Sequence, residues 1–189
     1  MALSHAVIVP NKDGASAPRS TMSKPPRDHT SFGSDTYFIT TTTWGSRTLF
    51  QTDRMALLLL DTLFQYRRQQ KFLLHEFVVM PNHLHLLLTP TGIPLERAMQ
   101  LIKGGFSYRV KKELGSNLEI WERGYVDHRI RDLDDYERHA KYIRQNPVEA
   151  HLASAEEEYP YSSACAGLER DPRPQGLKPE SLGGVLRHG

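Results

Sequence analysis

A period of two runs through residues 83–89, HLHLLLT, placing Leu84, Leu86 and Leu88 on one face of an extended strand and His83 and His85 on the other. Phe77, Val78 and Val79 favour a strand just before it, and Pro81 and Asn82 mark the turn between the two. Residues 75–90 therefore predict a β-hairpin with a leucine face for the core and a histidine face for a site. The run TYFITTTTW over 36–44 is rich in β-branched and aromatic residues and predicts an earlier strand, closed by Gly45 and Ser46. Between these strands, MALLLLDTLFQYRRQQ predicts a helix over about 53–70. Thr52 or Asp53 can cap it, and Arg67 and Arg68 lie where the helix dipole favours cations.

Leu95, Met99, Ile102, Phe106, Val110 and Leu114 recur at spacings of three and four after Pro94, which predicts a second long helix closed by Gly115. Gly104 and Gly105 interrupt it at a cost of roughly 2 kcal/mol in helix propensity relative to alanine, so a backbone or ligand is expected to approach closely there. A turn at Gly124 leads to a last strand over 125–130. A third helix, capped by Asp134 or Asp135, carries Tyr136, Ala140 and Ile143 on its inward stripe and is expected to end near Asn146, ahead of Pro147. The order β-α-β-β-α-β plus a helix implies an α+β, ferredoxin-like (RRM-like) fold. Its antiparallel sheet carries two helices on one face, and a C-terminal helix bears Tyr142.

Residues 1–33 hold Pro10, Pro18, Pro25 and Pro26 without any periodicity, and residues 164–189 are polar and rich in Pro and Gly. Both are expected to be flexible tails around one domain over 34–163, and Lys24 and Arg27 are read as part of a plain linker. One domain suits 189 residues. No apolar run approaches the ~18 residues of a membrane span, so no membrane partner is expected. The single cysteine, Cys165, excludes an internal disulfide or a multi-cysteine zinc centre and suits a reducing cytoplasm. The first residues lack the basic and apolar regions of a signal peptide. A net charge of +2 permits nucleic-acid binding without demanding it, so the placement of the charges matters more than their sum.

Two imidazoles two residues apart on one strand face can converge on a metal ion, but they do not complete its coordination shell. Tyr142 and Asn146, at i and i+4, share a face of the third helix. Taken in order, MPNHLHLLL, WERGYVDHRIR, YIRQNPVEA and YPYSS resemble the single-tyrosine HUH transposases, most closely the REP-associated tyrosine transposases, over about residues 36–163. Asn followed by Pro is similar to the REP-associated branch, whereas insertion-sequence relatives typically carry Gln.

The resemblance implies a role for each matching residue. His83 and His85 would be metal ligands with Asn146 as the third, and Tyr142 would be the catalytic nucleophile. It also implies a transposase that cuts and joins single-stranded DNA beside hairpins through a 5′-phosphotyrosine intermediate, acting in the bacterial cytoplasm and associated with the nucleoid. A monomer is expected, as against the homodimers of insertion-sequence relatives. Imidazoles suit Mn²⁺ and the cell supplies Mg²⁺, so Mg²⁺ is the expected cofactor with Mn²⁺ able to replace it. Lys103, Arg109, Arg129 and Arg131 are candidates to hold the DNA backbone, and Trp121, Tyr125 and Tyr108 to stack unpaired bases. A tyrosine begins with a pKa of ~10 and needs activation, for which His139 is the nearest base or orienting partner. Two rival readings are a non-cleaving protein that binds DNA or RNA hairpins and a zinc hydrolase drawing on Glu76. The complete set His83, His85, Tyr142 and Asn146 favours the transposase.

Overall fold

The computed structural model describes residues 35–179, so the expected tail over 1–33 and residues 180–189 lie outside it. Strands β1 (Tyr37–Thr42), β2 (Phe72–Met80), β3 (His83–Pro90) and β4 (Val126–Arg129) form one antiparallel sheet in the order β2-β3-β1-β4. Helices α1 (Asp53–Arg68) and α2 (Leu95–Leu114) cover one face, and α3 (Leu133–Glu149) covers the other. This is the ferredoxin-like α+β arrangement expected from the element order.

Strand alternation sorts the core into two layers. Ile39, Leu84, Leu86 and Leu88 pack with Leu59, Leu63, Ile102 and Phe106 beneath α1 and α2. Val78, Met80 and Leu87 meet Tyr136, Ala140 and Ile143 beneath α3. A register shift between Leu74 and Glu76 returns Phe77 to the first layer and leaves Glu76 on the α3 side. Because both faces are covered, β2 and β3 read as nearly continuous apolar runs. His83 and His85 fall on the α3 face, opposite the leucines.

The structure corrects four local expectations. The α3 helix does not stop at Asn146. Pro147 lies buried in its last turn, and the Ala150 N–H still reaches the Asn146 carbonyl while the Leu152 N–H reaches that of Pro147. Proline so near the C-terminus sacrifices one donor without breaking the turns before it. The cap is Asp132, whose side chain accepts the Asp135 N–H, rather than Asp134 or Asp135. The close approach at Gly105 comes from a side chain, neither backbone nor ligand: a Cβ there would meet the Tyr66 hydroxyl at 2.5 Å, whereas one at Gly104 would meet nothing.

The fourth correction concerns the expected tail from residue 164, which is docked as far as residue 179. Residues 161–163 extend the sheet, with the Val79 N–H donating to the Tyr161 carbonyl and the Ser163 N–H to that of Phe77. Beyond them Arg170 pairs with buried Glu76, Asp171 takes Arg67 and the Leu74 N–H, and the Leu133 N–H reaches the Lys178 carbonyl. Among the described residues, no helix is long and apolar enough to cross a membrane.

Candidate metal and nucleophile site

Residues His83 and His85 stand on β3 with ring centroids 4.7 Å apart, where the sheet meets α3. His83 Nδ1–H donates to Asn82 Oδ1 at 2.7 Å, which leaves its Nε2 lone pair free to bind. His85 Nδ1 bonds Thr40 Oγ1 of the neighbouring strand at 2.8 Å. When that nitrogen donates, His85 Nε2 likewise presents a lone pair. This Nε2 is buried and has no hydrogen-bond partner, although His85 is only 4% exposed. Buried polar atoms are rarely orphaned, and a nitrogen that should ligate an ion is a physical reason for one. Burial pushes His85 down to about 3, with His83 adding to the effect, and burial lowers His83 as well. Both imidazoles are thus neutral at physiological pH, the form that binds metal.

Tyr142 of α3 packs against this pair: its ring meets His85 at 5.2 Å and 72°, and it remains 42% exposed. Its hydroxyl has no hydrogen bond among the described residues, so it is open to an incoming group. Asn146 follows one turn later on the same helix face, half-buried. The structure therefore brings His83, His85 and Tyr142 together, with Asn146 one helical turn beyond Tyr142.

His139 is placed differently. Its Nδ1–H donates to the Asp135 carbonyl at 2.8 Å and lies 3.3 Å from the carboxylate, while its ring stacks on His128 at 4.8 Å. Phe38, rather than Tyr142, is its neighbour on the site side, at 4.6 Å. Asp135 is 1% exposed and also accepts from His128 Nε2, the Arg131 N–H and Arg138. Burial alone would raise its carboxyl, but the hydrogen bonds from His128, Arg131 and Arg138 hold it well below the usual carboxylate range. His128, Asp135 and His139 form the one group of three such side chains that could hold a metal among the described residues. However, its carboxylate is already taken by donors, and the His139 nitrogen nearest it carries a proton, so His83 and His85 are the better-prepared ligands. Sequence reasoning missed Phe38, Thr40 and His128, since only the pairing of β1 with β3 and β4 puts them on the histidine face.

The expected DNA contacts are dispersed. Lys103, Arg109 and Trp121 belong to the α1/α2 layer, across the sheet from the histidines. Trp121 is 8% exposed, packed on Phe50 and Phe106 with its indole N–H on the Lys103 carbonyl, so it offers no face to a base. Lys103 holds the loop before β4 through the carbonyls of Glu122 and Gly124, and Arg109 is paired with Asp61 and Glu113. Tyr125 packs against the core, while Tyr108 is exposed beside Lys112. Arg129 pairs with Asp35 at the sheet edge. Arg131, 70% exposed, lies 3.5 Å from Asp135, in the same layer as Tyr142.

Comparison with known proteins gives matches in sequence and in fold. The family described as Transposase IS200 like matches residues 33–146. A Haemophilus influenzae protein provisionally named a REP-associated tyrosine transposase is 30% identical over 117 residues, 56% of this chain and 64% of its own length. The chain thus spans less than two thirds of that relative. The Escherichia coli K12 REP-associated tyrosine transposase is 27% identical over 135 residues, 67% of this chain and 79% of that one. A solved structure of a REP-associated tyrosine transposase bound to a REP hairpin superposes with a TM-score of 0.61 at 26% identity. It covers 75% of this chain and 82% of its own.

Proposed function

Since the chain belongs to the IS200-like transposase family, we propose that it cleaves and rejoins single-stranded DNA beside hairpins, with Tyr142 as the nucleophile. The observation that carries this reading is the open Tyr142 ring 5.2 Å from His85, whose Nε2 is buried without a partner. The Tyr142 oxygen attacks a backbone phosphorus, the bond from that phosphorus to the 3′-oxygen breaks, and the strand end leaves as a 3′-hydroxyl carrying a proton. The product is a 5′-phosphotyrosine that conserves the bond for rejoining. His83, His85 and Asn146 are the residues that would hold a divalent cation, Mg²⁺ or Mn²⁺, which when bound supplies charge stabilisation at the scissile phosphate. Thr40 orients His85, and Asn82 orients His83, so that both present Nε2 to the same side.

Hairpin DNA is the proposed partner, since a REP-associated relative has been solved on a REP hairpin. Arg131, together with Arg138 and Lys141 on the exposed side of α3, is better placed for the cleaved strand than Lys103 or Arg109. The test is to incubate the protein with labelled single-stranded hairpin DNA from the flanks of its own gene plus Mn²⁺. An adduct that resists denaturant is expected, and it disappears in Tyr142→Phe and with chelator. Tight hairpin binding without an adduct, over several hairpins and both metals, would instead favour a non-cleaving binding protein.

A further inference from the structure

Phe38 is the residue that touches every ring of the site except His83. From β1 it stacks on His85 at 5.5 Å and 19°, meets His139 at 4.6 Å and takes Tyr142 edge-on at 5.9 Å and 80°. Two positions along the same strand face, Thr40 bonds His85. We propose that Phe38 is a positioning residue that sets the spacing between the Tyr142 ring and the His85 imidazole, with the His128–Asp135–His139 cluster as its rigid backing. This inference rests on the reading of Tyr142 as nucleophile and His85 as metal ligand.

Three observations carry it. The Tyr142 hydroxyl makes no hydrogen bond among the described residues, so ring contacts with Phe38 and His85 are what orient the side chain. The Phe38 backbone is fixed, because its strand is paired on both sides, to Leu87 on β3 and to His128 on β4, and its ring is held between those of His85, His139 and Tyr142. Behind it, His139 cannot yield, because its Nδ1–H is anchored on the Asp135 carbonyl and its ring lies within 22° of parallel to His128. His139 therefore stands behind Phe38 as a spacer. A misplacement of about 1 Å in a reacting group can cost on the order of a hundredfold in rate, so a spacer of this kind matters to the transfer step.

The test compares Phe38→Ala, Phe38→Leu and Phe38→Tyr with the wild-type full chain. Three quantities are read: single-turnover adduct formation at saturating hairpin DNA, the hairpin Kd, and Mn²⁺ affinity without DNA by electron paramagnetic resonance. Phe38→Leu keeps the apolar bulk and removes the ring. The expected result is a rate at least tenfold lower in the Ala and Leu variants, with hairpin Kd within twofold, Mn²⁺ binding at least threefold weaker, and Phe38→Tyr restoring most of both losses. Folded Ala and Leu variants with wild-type rate and wild-type Mn²⁺ affinity would overturn the proposal, as would a rate loss matched by an equal loss of DNA binding. Absence of an adduct in the wild type would defeat the functional reading rather than this one. The Mn²⁺ measurement then decides alone, since weaker binding in Phe38→Leu supports the role of Phe38 and unchanged binding overturns it.

Discussion

Single side chains in this protein are governed by where burial leaves their charge. His75 is 1% exposed; its Nδ1–H donates to the Pro172 carbonyl and its Nε2 bonds the Thr89 hydroxyl, so both nitrogens are satisfied in the neutral ring. Burial lowers its pKa despite the nearby carboxylate of Asp171. The unfolded chain takes up a proton here below about pH 6.5 while the folded chain does not, so stability falls as the pH drops from there, by up to about 1.4 kcal/mol per unit. His83 and His85, lowered by burial as well, add to the decline, so urea titrations at pH 7, 6 and 5 should show it and His75→Gln should make it shallower without abolishing it. An equal slope in the variant would assign the loss to other groups. Asp135 acts in the same direction at lower pH. Its carboxyl is depressed in the fold, so its contribution is complete above the unfolded value of about 3.9 and is lost below it. His83, His85, Tyr142 and Asn146 could be read from sequence because each pair is local, i and i+2 on a strand or i and i+4 on a helix. Phe38 and Thr40 could not, because they reach His85 across a strand pairing whose register no local pattern encodes.

At the level of elements, the hairpin and the helices follow their periodicities closely, and the departures have identifiable causes. On α2 the adjacent glycines separate into two cases. Gly104 faces open space, so Gly104→Ala should raise stability by up to about 1 kcal/mol through helix propensity alone. Gly105 holds the Tyr66 ring against it, so Gly105→Ala must displace that ring and should show no such gain. Thermal melts of both variants check the contrast, and equal gains would refute the packing role of Gly105. The overrun of α3 past Pro147 was not visible in sequence because the rule for the residue before proline states a preference, which the buried last turn overrides.

Across the whole molecule, the segment after β4 and α3 binds the layers to one another. Asp171 receives both Arg67 nitrogens at 2.9 Å and the Leu74 N–H at 2.7 Å, joining α1 to the β2 edge, while Arg170 and Arg144 flank Glu76. Asp171→Ala leaves a mostly buried arginine and a backbone donor unmatched and should cost about 2–4 kcal/mol, read as a lower urea midpoint. A loss below about 0.5 kcal/mol would mean that the strap is not anchored there. Composition alone suggested a tail because these anchors are polar and long-range: Arg67 and Asp171 lie 104 positions apart and leave no periodic trace. Trp121 was misjudged for a related reason. Its place in the core depends on Phe50 and Phe106 arriving from two other segments.

The claim on which the account turns is that one tyrosine of the eight in the chain carries the DNA. The direct measurement is to form the adduct with hairpin DNA and Mn²⁺, trim the DNA with nuclease, digest with protease and locate the residual nucleotide by mass spectrometry. The account predicts a nucleotide phosphate on Tyr142 alone. A nucleotide on another tyrosine, such as exposed Tyr108, or an adduct that survives Tyr142→Phe, would contradict it.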